Sequence, residues 1–288
     1  MPSQTRRQWR FLTETDSTNA EISRRLADHP PEQGLIILAD SQTDGKGRLG
    51  RTWYSAPGTG VYISTLIRPN LPPEQGLIVL ADSQTGGKGR LGRIWHSAPG
   101  TGVYISTLIR PSLPPEQLPI LTLMAGLATV IAVNEFTSNR VQLKWPNDLL
   151  LNGKKIAGVL CEYYPIKIPA VIIGIGINVN QTEFPIDIKE IATSLKLETG
   201  EEINRTALIK QLIIQLDFQY SELKKYTVEM LIKNWTRHTD LFGKTITLKK
   251  SSQSITGKAI RLDNLGRLVI ANEAGEETAF DSGEVRLG

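Results

Sequence analysis

Residues able to do chemistry crowd into one short stretch of this chain. Lys144-Trp145-Pro146-Asn147-Asp148 is followed, after Asn152-Gly153, by Lys154-Lys155 and Gly158. An amide and a carboxylate beside returning lysines concentrate opposite charges in a small volume. A nucleoside triphosphate with its magnesium requires that combination, because oxygen ligands hold the metal while cations neutralise phosphate. Taken alone, the same residues also fit an ordinary hairpin with solvated Lys154 and a capping Asp148.

A second candidate is the loop Gly45-Lys46-Gly47-Arg48-Leu49-Gly50-Arg51, which returns as Gly87-Lys88-Gly89-Arg90-Leu91-Gly92-Arg93. Glycines remove the Cβ obstacle and let backbone amides approach an anion, and the arginines add fixed donor forks. A P-loop is excluded, since Gly rather than Ser or Thr follows the lysine and a strand rather than a helix follows the loop. A plain surface turn is the competing reading. The third candidate, Gly174-Ile175-Gly176-Ile177-Asn178-Val179-Asn180, alternates glycine with apolar residues, so a flat ligand or a packed neighbour comes close to one strand face.

The elements that must hold these residues include a tandem repeat. Residues 34–75 return as 76–117 with five differences: Ile37/Val79, Asp44/Gly86, Thr52/Ile94, Tyr54/His96 and Asn70/Ser112. A solenoid needs at least about three units, so partial duplication of one domain is the expectation. Each copy reads as strand, loop, strand: Leu35 to Ala39 (or Leu77 to Ala81), then Gly60 to Ile67 (or Gly102 to Ile109). Thr15-Asp16-Ser17 would cap a short helix from Asn19 to Ala27. The run Leu118 to Phe136 reads as a buried helix. Strands are expected at Val141 to Lys144, Lys154 to Glu162 and Val171 to Val179, with Asn152-Gly153 as a hairpin turn. Ala207 to Tyr226 has the apolar spacing of an amphipathic helix. After Thr239 the texture changes to short alternating runs, expected to form a small β-barrel.

Composition narrows the class. With 288 residues and 40% hydrophobic content there is room for one large core and a small second domain. A net charge of +4 from 33 basic and 29 acidic residues is too weakly basic to name nucleic acid as partner. The single Cys161 and the lack of a charged-then-apolar leader before Trp9 and Phe11 point to the cytoplasm, without a membrane segment.

Together, Asp16-Ser17-Thr18-Asn19, the GKGRLGR loop followed by Trp and Ser, KWPND, Lys155-Ile156-Ala157-Gly158 with Glu162, and GIGINVN closely resemble biotin–protein ligases in type and order. The resemblance is dense from Thr13 to about Asn180 and looser over the last fifty residues. It implies an α+β fold, a mixed sheet with flanking helices related to class II aminoacyl-tRNA synthetases and lipoate ligases. A catalytic domain would span residues 1–238 and an SH3-like barrel 239–288.

The implied activity joins biotin and ATP into biotinyl-5′-AMP, with Mg2+, and transfers biotin to a lysine of the carrier domain of acetyl-CoA carboxylase. Alternatives are a non-catalytic biotin-binding remnant inactivated by the duplication, or a lipoate–protein ligase. By the same resemblance Ser17, Thr18, Asn19 and Gln42 or Gln84 would bind polar parts of biotin. Gly45 and Lys46 (or Gly87 and Lys88) would line the loop, Trp53 or Trp95 would wall the ligand, and Gly158 would adjoin it. Arg48 or Arg90 would hold the acyl-phosphate and Arg51 or Arg93 the ATP phosphates. Asn147, Asp148 and Asn178 match ATP positions, with Asp148 and Asn178 as candidate Mg2+ donors. Lys155 would reach the carboxylate and the α-phosphate, converging with the loop arginines on one pocket.

The resemblance provides for one loop copy, and this chain has two. Asp44 would place negative charge beside an anionic ligand where Gly86 does not, which favours the second. The surplus copy must loop out, add to a sheet or exchange with another chain. Some members carry an N-terminal DNA-binding domain; with Ser17 so early, no sequence-specific DNA binding is expected.

Overall fold

The computed structural model describes residues 8–12, 35–39, 45–46, 52–53, 62–66, 77–81, 87–90, 93–96, 98–165, 169–225, 227–250 and 253–287. The chain divides into two compact units. The first comprises Met1–Ser112 and Glu162–Gln181, the second Leu113–Cys161 and Thr182–Gly288.

In the first unit both repeats fold alike. Strand β1 (Gln8–Leu12) runs parallel to β2 (Leu35–Ala39), and β2 pairs antiparallel with β5 (Tyr62–Leu66) so that Leu35 faces Leu66. Between them β3 (Gly45–Lys46) and β4 (Thr52–Trp53) form a minimal hairpin. The second copy repeats the pattern. Strand β6 (Leu77–Ala81) pairs with β9 (Gly102–Ile109), Leu77 facing Leu108, and β7 (Gly87–Lys88) pairs with β8 (Ile94–Trp95). The register is conserved because the residues that set it are nearly the same in both copies.

Connectivity, not sequence, tells the copies apart. β9 pairs along its whole length with β13 (Ala170–Asn178), Gly102 facing Asn178 and Ile109 facing Val171, while β5 lies alongside β6. The surplus copy is therefore not looped out: β2 and β5 form a separate three-stranded sheet with β1, and β5, its end strand, lies alongside β6, the end strand of the sheet that contains β9. Each flank pairs with the copy nearer to it in sequence, the choice that closes the shorter loop.

The second unit is built on α1 (Ile120–Asn134). The helical stretch Pro115–Asn134 is long and apolar enough to cross a membrane, yet twelve of the fifteen residues of α1 are buried, so it is a core helix. A helix apolar on all sides needs such surroundings. It packs against α3 (Arg205–Lys225) and α4 (Val228–Thr236). The buried stripe of α3 is Leu208, Leu212, Leu216 and Gln219, the face expected from its spacing.

Strands β10 (Gln142–Lys144), β11 (Asp148–Leu151) and β12 (Lys154–Tyr164) form an antiparallel meander. Here the sequence reading needs correction, because it expected no strand between Val141 to Lys144 and Lys154 to Glu162, and β11 stands there. Asp148 opens β11, and the lysines begin the strand after it. Short helix α2 (Leu195–Thr199) is capped by Ser194, which accepts from the Leu197 amide at 3.1 Å, and ends on Gly200. A five-stranded antiparallel sheet occupies the region expected to form a barrel: β14 (Thr245–Lys250), β15 (Gln253–Leu262), β16 (Leu268–Ala271), β17 (Glu277–Phe280) and β18 (Glu284–Leu287), ordered β17-β16-β15-β14-β18.

Candidate active site

Lys155 owes its orientation to a β-bulge. Asp148 faces Gly158 and Leu149 faces Ala157, but the register then shifts so that Leu150 faces Lys155. In an unbroken ladder Leu150 would face Ile156, and Lys155 would point to the other side of the sheet. The extra residue turns it onto the face of Asp148. Its burial signature is the adjacent pair Ile156 and Ala157, both fully buried where strict alternation would expose one. The result is an ion pair of 2.6 Å between Lys155 Nζ and Asp148 Oδ1, both half-buried. Gly158, opposite Asp148, puts no side chain beside the carboxylate.

Neighbouring residues of the KWPND segment have separate tasks. Asn147 is fixed by two bonds to Val159: its Nδ2 donates to the Val159 carbonyl at 2.9 Å, and the Val159 amide donates to the Asn147 carbonyl at 2.8 Å. Trp145 is buried and precedes a cis Pro146; its Nε1 donates to the Gly266 carbonyl at 3.0 Å. Trp145 is thus an anchor, Asn147 is tied to Val159, and Asp148 is the residue that meets Lys155.

In the first unit the second loop is closed on itself, Gly89 N donating to Arg93 O at 2.8 Å and Arg93 N to Arg90 O at 3.3 Å. Arg90 is half-buried and Arg93 exposed. Trp95 lies against Gly176, where an added Cβ would stand 2.7 Å from the ring's Cε2. Gly176 of β13 thus accepts an indole from the second copy. Asn178 is 4% exposed, and its Oδ1 accepts from Gln181 Nε2 at 3.4 Å; Gln181 also donates to the Tyr104 hydroxyl at 3.1 Å. Gln181 and Tyr104 escaped the sequence reading, whose only signal was a polar residue three positions beyond Asn178.

Among the other sequence candidates, Ser17, Thr18, Asn19, Gln42, Gln84, Arg48 and Arg51 lie outside the described residues, as does the expected helix from Asn19 to Ala27. Gly45, Lys46, Trp53 and Lys88 are placed by their strands, and Gly87 is buried. No cluster of three His, Cys, Asp or Glu residues that could hold a metal occurs among the described residues. Mg2+ asks less of a protein, binding through one or two carboxylates with substrate phosphates and water completing its shell. The Asp148 carboxylate fits that role.

Residues 11–75 and again 68–180 match the biotin/lipoate A/B protein ligase family, and residues 241–288 match the biotin protein ligase C terminal domain. The first two matches divide between the two copies. The chain is 36% identical over 276 residues to the bifunctional ligase/repressor BirA of Bacillus subtilis, covering 94% of this chain and 72% of that protein. It is 28% identical to the biotin--[acetyl-CoA-carboxylase] ligase of Mycobacterium tuberculosis, over 97% of this chain and 88% of that one. Biotin protein ligase from Aquifex aeolicus, solved in complex with biotin and ATP, superposes with a TM-score of 0.64 at 29% identity, covering 98% of both chains. The chain belongs to the biotin/lipoate A/B protein ligase family and carries that family's biotin protein ligase C-terminal domain.

Proposed function

We propose that this chain is an ATP-dependent biotin–protein ligase acting on the biotin carboxyl carrier of acetyl-CoA carboxylase. The observation that carries the reading is the bulge that brings Lys155 and Asp148 together on one face of the β11–β12 hairpin.

A biotin carboxylate oxygen attacks the α-phosphorus of ATP, the bond to pyrophosphate breaks, and biotinyl-5′-AMP forms. Both reactants are anions, so cations must offset their repulsion and the charge developing in the transition state. Lys155 supplies one mobile positive charge, with Asp148 holding it in place until substrate arrives. Arg90 and Arg93 of the second loop serve the acyl-phosphate and the ATP phosphates. Asp148 would offer an oxygen donor to Mg2+, which would supply further neutralisation of phosphate charge when bound. In the second step the carrier's lysine amine attacks the acyl carbonyl, an amide forms and AMP leaves. No covalent enzyme intermediate is required, so Cys161 has no catalytic task.

The second copy is the working one. Trp95 against Gly176, and β9 paired to β13, tie that copy to the strand bearing Asn178. The lone free Cys161 fits a reducing cytoplasm. The C-terminal match supports a separate module from residue 239 onward. Incubation with ATP, labelled biotin and a purified carrier domain, read by avidin blot, tests the reading. Labelling of the carrier is expected, and radiolabelled lipoate in place of biotin, followed by its radioactivity on the carrier, should give none; a blank avidin blot at stoichiometric enzyme overturns the assignment.

A further inference from the structure

Lys155 is held by more than its ion pair. On one side its strand pairs with β11; on the other its amide donates to the Ile191 carbonyl at 2.8 Å, and its carbonyl accepts from the Thr193 amide at 3.0 Å. The segment around Ala192 therefore runs as a short parallel partner to the start of β12.

A single carboxylate links that segment to the turn before Lys155. Glu198 Oε1 accepts from the Thr193 hydroxyl at 2.6 Å, and its Oε2 accepts from Asn152 Nδ2 at 2.5 Å. Asn152 is the first residue of the hairpin turn and the only non-glycine residue with positive φ among those described, at 50°, followed by Gly153 at 80°. The turn is of the I′ type, which fixes the register of the hairpin. A closed path results: Lys155 carbonyl, Thr193 amide and hydroxyl, Glu198 carboxylate, Asn152 side chain, and two residues of chain back to Lys155. Thr193 is 2% exposed, and a buried hydroxyl with an ionised acceptor makes a strong bond.

We infer that Glu198 is a positioning residue for Lys155: it clamps the Asn152 turn to the Thr193 segment and so holds the bulge that aims the ammonium group. This rests on the role given to Lys155 above. Glu198 touches no substrate in this account. Two separate donors converge on it, and each is met by a different oxygen of the carboxylate.

The test is a cycle of variants read as pyrophosphate release with biotin and ATP, alongside thermal melts. Glu198→Gln keeps an acceptor for Thr193 but sets an NH2 against the Asn152 NH2, and should slow biotinyl-AMP formation about fivefold, roughly 1 kcal/mol. Adding Asn152→Asp reverses donor and acceptor at the turn, where Asp also tolerates positive φ, and should restore the rate. In a Lys155→Ala background Glu198→Gln should change the residual rate by less than twofold, since the group being positioned is gone. A melt-only effect, with the rate of Glu198→Gln at the parent level, overturns the inference. So does an equal fivefold loss with and without Lys155. A silent Lys155→Ala instead removes the reading of Lys155 itself, and the clamp with it.

Discussion

Trp95 rests on Gly176 so closely that the position tolerates no side chain, a Cβ there coming within 2.7 to 2.9 Å of three atoms of the indole. A ring edge cannot swing aside as the tip of a long side chain does. Gly176→Ala must therefore displace Trp95 or bend β13, and overpacking of this kind costs about 1–3 kcal/mol. Carrier biotinylation by Gly176→Ala should fall at least about tenfold, with a lowered melting temperature. Replacing Trp95 by Ala in the same chain should recover the melting temperature without recovering activity. Full activity of Gly176→Ala would show that the indole contact does not matter to the site.

Which copy works is decided by arginine variants. Arg90→Ala should lower pyrophosphate release by about a hundredfold, the scale of losing one preorganised charge contact in a transition state. Arg48→Ala should lower it less than about twofold. The reverse ranking would move the site to the first copy. Excision is a different experiment, because removing 34–75 or 76–117 leaves chains that differ at only the five variable pairs. Both should fold, with β1 meeting a strand of almost the same sequence. The chain keeping Gly86 should be the more active, and Asp44→Gly in the other excised chain, which removes one of the five differences, should close the gap.

The strands of each copy were legible to the residue in places: Leu35 to Ala39, Leu77 to Ala81 and Gly102 to Ile109 are β2, β6 and β9. Alternation and glycine boundaries sufficed there. Pairing was not legible, because two nearly equal copies offer β1 and β13 the same partners and only loop closure separates them. In the candidate site, residue types identified Lys155, Asn147 and Asp148, but not the bulge. An extra residue in a ladder leaves no compositional mark; Ile156 and Ala157 look like any apolar pair until Leu150 is seen opposite Lys155. Gln181 and Glu198 were missed for a related reason, as their partners, Tyr104 and Asn152, are remote in sequence.

The ion pair makes a graded prediction at Asp148. Lys155→Ala should cut biotinyl-AMP synthesis at least about tenfold, or 1.4 kcal/mol in activation free energy. Asp148→Asn removes the fixed counter-charge and a donor suited to Mg2+, so its loss should be partly offset by raising the Mg2+ concentration. Lys155→Ala should show no such recovery. Magnesium titrations of both variants, read as pyrophosphate release, separate the two roles; equal recovery would place them wrongly.

Acid sensitivity has an identifiable source in His238. Burial, first, and then the positive charges of Arg140 and Arg237 hold its pKa below the ordinary value of 6.5. The unfolded chain therefore binds a proton more readily than the folded one, and stability must fall as pH drops from 6.5 through the folded-state value. Above 6.5 the residue is neutral in both states and contributes no slope. His238→Gln keeps the backbone carbonyl that accepts from the Leu143 amide at 2.6 Å, yet cannot charge. Its melting temperature should decline less than the parent's between pH 7 and pH 5. The carboxylates of Asp281, held low by Lys250, and Glu277, held low by Arg261, act only in the more acidic carboxylate range, so they do not mask this window. Parallel pH curves for parent and His238→Gln would show that the histidine charges without cost in the folded protein.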